Sequence, residues 1–320
     1  MTGTDRILPG VMLMLGFCLT APLIDVASKL AAATVPAGQI TLARFVVQAL
    51  LMLPVVLLMG LPMGAGPRAL WLLFWRAAFS ILATFFFVAA VAVMPIADAL
   101  AIVFVEPFII LLLGWLIFGE EVGPRRLGAS VIGFAGCLLV IQPSFAVFGA
   151  VAFYPLGTAL FFALYMLATR RLSQVMHPVT MQLHTAVMAV VLCLPLLLAG
   201  HLGGVAALSL VLPAGIAWTW LGAVGVAATV SHMLITYALR FAPSATLAPL
   251  HYLELVSAVG LGYLVFGDFP DPLTWVGIAV IAGSGLYIIH RERSLQRHRP
   301  LSVPPLSAPE APPAGSRAAE

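Results

Sequence analysis

Charged residues are scarce in this sequence. Only 8% of its 320 residues are Asp, Glu, Lys or Arg, whereas a soluble domain carries about 25%. Hydrophobic residues make up 62%, and the mean hydropathy is +1.11. This composition excludes a soluble globular domain and predicts a polytopic membrane protein.

Cysteine is nearly absent as well. Cys18, Cys137 and Cys193 each lie inside an apolar run, without a C-x-x-C or Cys/His spacing. We therefore interpret them as small buried hydrophobes, not as disulfide or metal-binding residues. The sequence also lacks a phosphate-binding loop and a nucleophile–base motif, so we expect no catalytic residues, no metal and no cofactor. The net charge of +3 does not indicate a nucleic-acid partner, because the basic residues follow membrane topology.

Ten apolar segments are each long enough to cross a hydrocarbon core of about 30 Å as a helix. The sequence therefore predicts an all-α membrane protein with ten transmembrane helices. They run approximately over 8–29, 38–60, 69–93, 97–118, 125–142, 148–169, 179–200, 212–239, 245–266 and 272–290. Because the first segment contains Asp25 and continues past it, we do not expect a cleaved signal peptide.

Basic residues predict the orientation of these helices. Most arginines fall on one side of the membrane, and the other side has only Lys29 and the more deeply placed Arg44. The arginine-rich side should be cytoplasmic, which places both termini there in a bacterial-type inner membrane. The arginines on that side are Arg6, Arg68, Arg76, Arg125, Arg126, Arg170, Arg171, Arg240 and those within 291–299.

Residues 291–320 differ from the rest of the chain, since they are polar and then rich in proline, alanine and serine. Such a segment cannot bury enough apolar surface to fold, so we predict a disordered cytoplasmic tail. Its arginines are expected to contact anionic lipid headgroups, which makes membrane lipid an expected partner.

The chain contains an internal repeat. It is clearest where a shift of 148 residues aligns proline with proline and carboxylate with carboxylate. The aligned pairs are Pro95/Pro243, Glu106/Glu254, Phe118/Phe266, Gly119/Gly267 and Glu120/Asp268. We therefore predict two five-helix repeats, at 1–143 and 144–290. Because five is odd, the second repeat would be inverted relative to the first, an arrangement typical of alternating-access transporters.

Glu106 and Glu254 are the central candidate residues. A carboxylate at a helix centre in a bilayer costs roughly 2.5–3.5 kcal/mol, so two at matching places need a function. Each lies about ten residues from one end of its predicted helix, or roughly 15 Å deep, near the midplane. They could carry protons or bind a cationic substrate, and Glu106 could instead pair with Arg44. His251, one turn before Glu254, indicates either a proton relay or a locking hydrogen-bonded pair.

Other polar residues extend the candidate set. Asp25 and Lys29, four apart on one helical face, predict a structural ion pair or part of an external gate. Arg44 requires a carboxylate or water, and its candidate partners are Asp25, Asp98 and Glu106. Alternatively, its guanidinium binds a substrate carboxylate.

The remaining candidates are less strongly indicated by their positions. Gln48 shares a helical stripe with Arg44, and His232, Tyr165 and Tyr252 could line a cavity, although aromatic residues also pack or anchor at interfaces. Gly128, Gly133 and Gly136, with Gly277, Gly283 and Gly285, predict close helix packing.

Together these residues resemble the drug/metabolite transporter superfamily, specifically its EamA-type ten-helix members. The likeness covers about residues 8–292. It rests on Asp25-x-x-x-Lys29, Ala43-Arg44-Phe45, Arg76, Glu106-Pro107-Phe108, Phe118-Gly119-Glu120, Tyr237-Ala238-Leu239, Phe266-Gly267-Asp268 and Gly285-Leu286-Tyr287. One departure is Leu255, which stands where the counterpart of Pro107 would be, so we expect a helix break only in the first repeat.

The resemblance implies a central cavity lined by helices 1–4 and 6–9, with helices 5 and 10 at the periphery. Members move amino acids, purines, vitamins, S-adenosylmethionine, nucleotide sugars or drugs, frequently outward. We therefore expect a secondary transporter of a small organic metabolite, such as an amino acid or similar amphipathic solute, working by alternating access. Export is the preferred direction, with protons as a possible coupling ion.

Two alternatives stay open. The first is an importer or exchanger of a larger metabolite such as S-adenosylmethionine. The second, from another class, is an intramembrane enzyme. An enzyme would need a catalytic cluster in one place, whereas the polar residues here are spread over both halves.

Overall fold

The computed structural model describes residues 7–94, 96–119, 123–141 and 149–267, with parts of 275–290. The predicted tail at 291–320 and parts of the predicted tenth helix lie outside the described residues. Within the described part, the regular structure is helical and includes no strand, which confirms the all-α class.

Eleven α-helices are described in full. They are α1 (Ile7–Ala32), α2 (Ala37–Leu58), α3 (Pro67–Val91), α4 (Ile96–Val103), α5 (Glu106–Phe118), α6 (Pro124–Ile141), α7 (Phe153–Ser173), α8 (Pro178–Leu202), α9 (Ala217–Phe241), α10 (Ser244–Leu247) and α11 (Leu253–Phe266). Short 3-10 turns at Gly149–Ala152, Ala206–Leu208 and Ala248–Tyr252 join some of them.

Proline and glycine define several helix ends. Pro67 and Pro178 occupy the first positions of α3 and α8, where the fixed φ of proline suits a helix start. Gly119 and Gly267 end α5 and α11 in the left-handed conformation, with φ of 61° and 77°. This is the usual glycine helix stop, and it occurs at an aligned pair of the repeat.

Six described segments are long and apolar enough to cross a membrane. They are Ile7–Ala32, Ala37–Leu58, Pro67–Val91, Pro178–Leu202, Ala217–Phe241 and Ser244–Phe266. Large apolar side chains on their outer faces are exposed, as expected for contact with lipid. Two predicted starts were too early: α7 begins at Phe153 instead of 148, and α9 at Ala217 instead of 212, because 3-10 turns and extended loop precede them.

The fourth and ninth predicted helices are both interrupted. The first is divided between α4 and α5 at Phe104 and Val105, immediately before Glu106. The second is divided by the 3-10 turn Ala248–Tyr252, two residues before Glu254. The expectation of a break only in the first repeat was therefore wrong. Pro249 supplies the second break from five residues upstream, since proline cannot donate a helical hydrogen bond.

Packing between the two halves of the chain is extensive. Helix α1 lies against α9, α3 against α7, and α2 against both α8 and α9. In the predicted repeat, α1 corresponds to α7 and α3 corresponds to α9. The contact of α1 with α9 is therefore the counterpart of the contact of α7 with α3. Side chains at the centre of these contacts therefore come from both halves.

Candidate functional site

A central cavity of about 100 Å³ gathers polar residues from both halves. Three carboxylates, Asp25, Glu106 and Glu254, line it together with Arg44 and His232. The remaining lining is mainly aromatic, aliphatic and hydroxyl-bearing, and it includes Phe17, Phe87, Phe104, Phe162, Ser28, Ser80, Thr84 and Thr158. Five of the predicted site residues therefore share one cavity.

The two helix breaks place the glutamates at this cavity. Glu106 lies in the first turn of α5 and Glu254 in the first turn of α11. A helix begins with unsatisfied backbone N–H groups and a partial positive charge, which favours a carboxylate there. Both side chains are buried, with exposed fractions of 2% and 9%. The interruptions thus reduce the cost of carrying carboxylates at this depth.

His251 contacts the glutamate of the other repeat. Its Nδ1 lies 3.3 Å from Glu106 Oε1, within ion-pair distance. The described ion pairs and hydrogen bonds do not join His251 to Glu254, the expected partner. His251 lies in the 3-10 turn Ala248–Tyr252 and Glu254 in α11, so the two residues do not belong to one continuous helix. The rings of Phe17 and Phe162 hold the imidazole, at centroid distances of 5.4 and 5.8 Å.

Arg44 hydrogen-bonds neutral partners. Its guanidinium donates to Thr84 Oγ1, and Nη2 lies 2.6 Å from His232 Nε2. Its described hydrogen bonds do not go to Asp25 or Glu106, so the prediction of either carboxylate as its hydrogen-bond partner was wrong. The guanidinium also lies 4.9 Å from the centre of the Phe45 ring, a cation–π contact that offsets part of the cost of burial.

Arg76 is the most important residue that sequence reasoning misplaced. It was assigned to the cytoplasmic arginines, but it lies in the third turn of α3 and has no exposed surface. Its hydrogen-bond acceptors come from α7, α8 and α9. They are Thr169, Thr185, Tyr165, Gln182 and Thr236. The position of Arg76, nine residues after Pro67, was the signal available, since a flanking arginine should lie closer to a helix end.

Asp25 and Lys29 do not form the expected ion pair. The Lys29 ammonium donates to the Met94 carbonyl at 3.0 Å. Asp25 lines the cavity instead, where its Oδ2 has no hydrogen-bond partner. The side chain of the third predicted member of this group, Asp98, lies outside the described residues.

The three remaining candidates, Gln48, Tyr165 and Tyr252, are not among the described residues that line the cavity. Gln48 donates from Nε2 to the Gln182 carbonyl at 3.0 Å. Tyr165 takes part in the hydrogen bonds of Arg76.

Tyr252 is fully buried, and the centre of its ring lies 5.8 Å from that of Phe104, with the two rings tilted at 49°. The same ring lies directly against Gly133 of α6. Gly133 thus has the predicted close-packing role. At Gly128 a Cβ would meet nothing within 4 Å among the residues that the structure describes.

The cavity has an excess of acidic groups. Three carboxylates face one guanidinium within its described lining. Buried carboxylates without matching cations are neutralised by protons or by a bound cation, because an isolated charge in a low-dielectric interior is very costly. The arrangement can therefore bind protons or the cationic group of an organic solute, with aromatic rings beside them for the apolar part.

Comparisons with known proteins agree with this geometry. A model of the EamA-like transporter family matches residues 8–142 and 149–290. A riboflavin transporter of Rhizobium johnstonii is 32% identical over 211 residues, covering 66% of this chain and 67% of its own. The pseudopaline exporter CntI of Pseudomonas aeruginosa is 25% identical over 279 residues, covering 87% and 94%. An S-adenosylmethionine uptake transporter of Rickettsia prowazekii is 23% identical over 293 residues, covering 89% and 94%.

A solved crystal structure shares the fold. It superposes with a TM-score of 0.71 at 20% identity, over 90% of this chain and 98% of its own. The family match, the transporters of small metabolites among its relatives and the apolar helices describe a multi-pass membrane transporter and not an enzyme. The resemblance predicted from the sequence is thereby confirmed: the chain belongs to the EamA-like transporter family.

Proposed function

We propose that this protein is a proton-coupled secondary transporter that exports a small amphipathic metabolite bearing an amino group. The observation that carries the proposal is the cavity in which Glu106 and Glu254, an aligned pair of the repeat, lie with Asp25. A solute ammonium and protons compete for these carboxylates. Competition for one site is what exchange of substrate against protons requires, and an inward proton gradient then drives export.

Alternating access of two inverted five-helix repeats is the proposed mechanism. It is supported by the two stretches that match the family model and by the helix break that precedes each glutamate. The corresponding α1–α9 and α3–α7 contacts between the halves support it as well. Binding sites of transporters built from inverted repeats lie at the repeat interface, where half-helix ends face the substrate. A cavity of about 100 Å³ holds several waters but is smaller than the pockets that enclose a vitamin. The proposed cycle therefore includes a more open form.

The second candidate is uptake or exchange of a larger metabolite such as S-adenosylmethionine. The rings of Phe17, Phe87 and Phe104 favour it, since they offer stacking surfaces for a planar group. Uptake would also agree with the name of the Rickettsia prowazekii relative.

Transport assays separate these candidates. We expect liposomes with the purified protein to exchange an amino-bearing amphipathic solute at a rate that rises with an opposing proton gradient. The measurement is efflux from liposomes loaded with amino acids, S-adenosylmethionine or riboflavin, against protein-free liposomes. Movement of S-adenosylmethionine without a gradient effect would favour the second candidate. Gradient-independent movement of every solute would contradict proton coupling.

The proposed topology places ten helices in the inner membrane with both termini cytoplasmic. In a background without Cys18, Cys137 and Cys193, we expect Gly203→Cys to react with an external membrane-impermeant thiol reagent. Arg171→Cys should react only after the membrane is opened, because it lies on the arginine-rich side. Pro95→Cys serves as a second external position. The reverse labelling pattern would contradict the orientation.

A further inference from the structure

A series of hydrogen bonds connects the cavity to a residue outside its lining. Arg44 Nη2 lies 2.6 Å from His232 Nε2, and His232 Nδ1 lies 2.8 Å from the Tyr165 hydroxyl. The same hydroxyl accepts from Arg76 Nη2 at 2.7 Å. These four residues stand on α2, α9, α7 and α3, so the series joins both halves of the chain.

The chemistry of Arg44 determines the tautomer of His232. A guanidinium has five N–H donors and no acceptor, so His232 Nε2 must accept from it. A neutral imidazole carries its single N–H on the other nitrogen in that case. His232 therefore has its proton on Nδ1 and donates to Tyr165. The opposite tautomer, like a doubly protonated ring, would direct an N–H at the N–H of Arg44.

Arg76 explains why the Tyr165 hydroxyl accepts a hydrogen bond from His232. Because Arg76 is also only a donor, the Tyr165 oxygen turns its lone pairs towards both Arg76 and His232. Arg76 itself is fixed by four further acceptors. They are Thr169 Oγ1 at 2.8 Å, Gln182 Oε1 at 3.0 Å, Thr236 Oγ1 at 3.3 Å and Thr185 Oγ1. Its guanidinium also lies 4.6 Å from the centre of the Tyr165 ring. The Tyr165 hydroxyl is thus fixed in position, with its oxygen as the acceptor for His232.

We propose that Arg76 and Tyr165 are positioning residues: they fix the orientation of the His232 ring, whose tautomer Arg44 sets, and through that ring they hold the Arg44 guanidinium at the cavity wall. Arg44 is only 4% exposed, so this direction decides which part of the guanidinium a solute meets. One part of the inference rests on the proposed function, namely that Arg44 contacts an acidic group of the substrate. The tautomer itself does not depend on transport.

Solid-state NMR of the full-length protein in bilayers tests this inference directly. With histidine labelled by nitrogen-15 and carbon-13, the His232 signal is the one that disappears in His232→Gln. We expect it to report the Nδ1–H tautomer in the wild-type protein. In Tyr165→Phe the Nδ1–H group loses its acceptor, so its signal should shift, while Nε2 stays unprotonated because it still accepts from Arg44. A role of Tyr165 in packing alone would leave the Nδ1 signal unchanged.

Arginine labelling supplies the second readout. The two Nη signals of Arg44, assigned from their loss in Arg44→Lys, should be distinct in the wild type and merge in Tyr165→Phe as the guanidinium gains rotation. Tyr154→Phe is the matched control, since it removes a hydroxyl from the same helix at a side chain that is 40% exposed.

A wild-type His232 with its proton on Nε2 would overturn the inference, and so would an Nδ1 signal unchanged by Tyr165→Phe. If that variant does not fold, the wild-type tautomer alone decides. If the tautomer is as expected but Arg44→Lys transports normally, the proposed function of Arg44 fails while the positioning of His232 stands.

Discussion

Replacing either Glu106 or Glu254 with glutamine is expected to reduce gradient-driven transport to the rate of protein-free liposomes. Glutamine keeps the shape of glutamate and its ability to accept hydrogen bonds, but it can neither ionise nor carry a proton. Each glutamate is buried at a cavity with more carboxylates than cations, so its charge state should decide what binds there. The measurement is solute efflux with and without a proton gradient.

The two variants also separate coupling from binding. If a glutamate only carries the proton, its glutamine variant should lose gradient-driven accumulation but keep solute exchange at equal pH. If it binds the substrate cation, both activities should be lost. Glu292→Gln, beyond the last predicted helix, is the control and should transport normally. Gradient-driven transport at the wild-type rate in both cavity variants would contradict the proposed site.

His251 shows where the site could not be derived from sequence. The repeat identifies Glu106 and Glu254 because carboxylates are rare in apolar segments and recur at a fixed shift. Sequence reasoning then assumed a continuous α-helix through Pro249, which pairs His251 with Glu254. His251 instead lies in a 3-10 turn that ends before Glu254, and its contact with Glu106 joins segments about 145 residues apart. Local periodicity contains no information on such a contact.

The two buried arginines illustrate a different limit. Both were visible in the sequence, and the cost of burying a guanidinium predicted that Arg44 needs polar partners. We expected carboxylates for Arg44, but the structure supplies Thr84 from the same half, and histidine, tyrosine and glutamine from helices of the other half. Hydroxyl and amide side chains are common in apolar helices, so a single sequence does not indicate which of them converge. Fold class, helix positions and the paired carboxylates were predictable because they depend on local composition and spacing.

Gly133→Ala is expected to destabilise the protein by about 1–3 kcal/mol, the usual cost of overpacking a core. A Cβ at this position would overlap Cδ2 of the Tyr252 ring, well inside van der Waals contact. The ring cannot easily move, because Tyr252 is fully buried and packs near Phe104. The measurement is the midpoint of thermal unfolding of the purified protein in detergent, which should fall.

Gly128→Ala is the matched control on the same helix. Within the described part of the chain a Cβ there meets nothing within 4 Å, and alanine favours a helix over glycine by up to about 1 kcal/mol. Its unfolding midpoint should therefore stay unchanged or rise. Equal midpoints for the two variants would show that α6 does not pack against Tyr252 as described. Gly133 belongs to the first half of the chain and Tyr252 to the second. A fall in the unfolding midpoint that is confined to Gly133→Ala would therefore measure the contact between the two halves, next to the helix break that precedes Glu254.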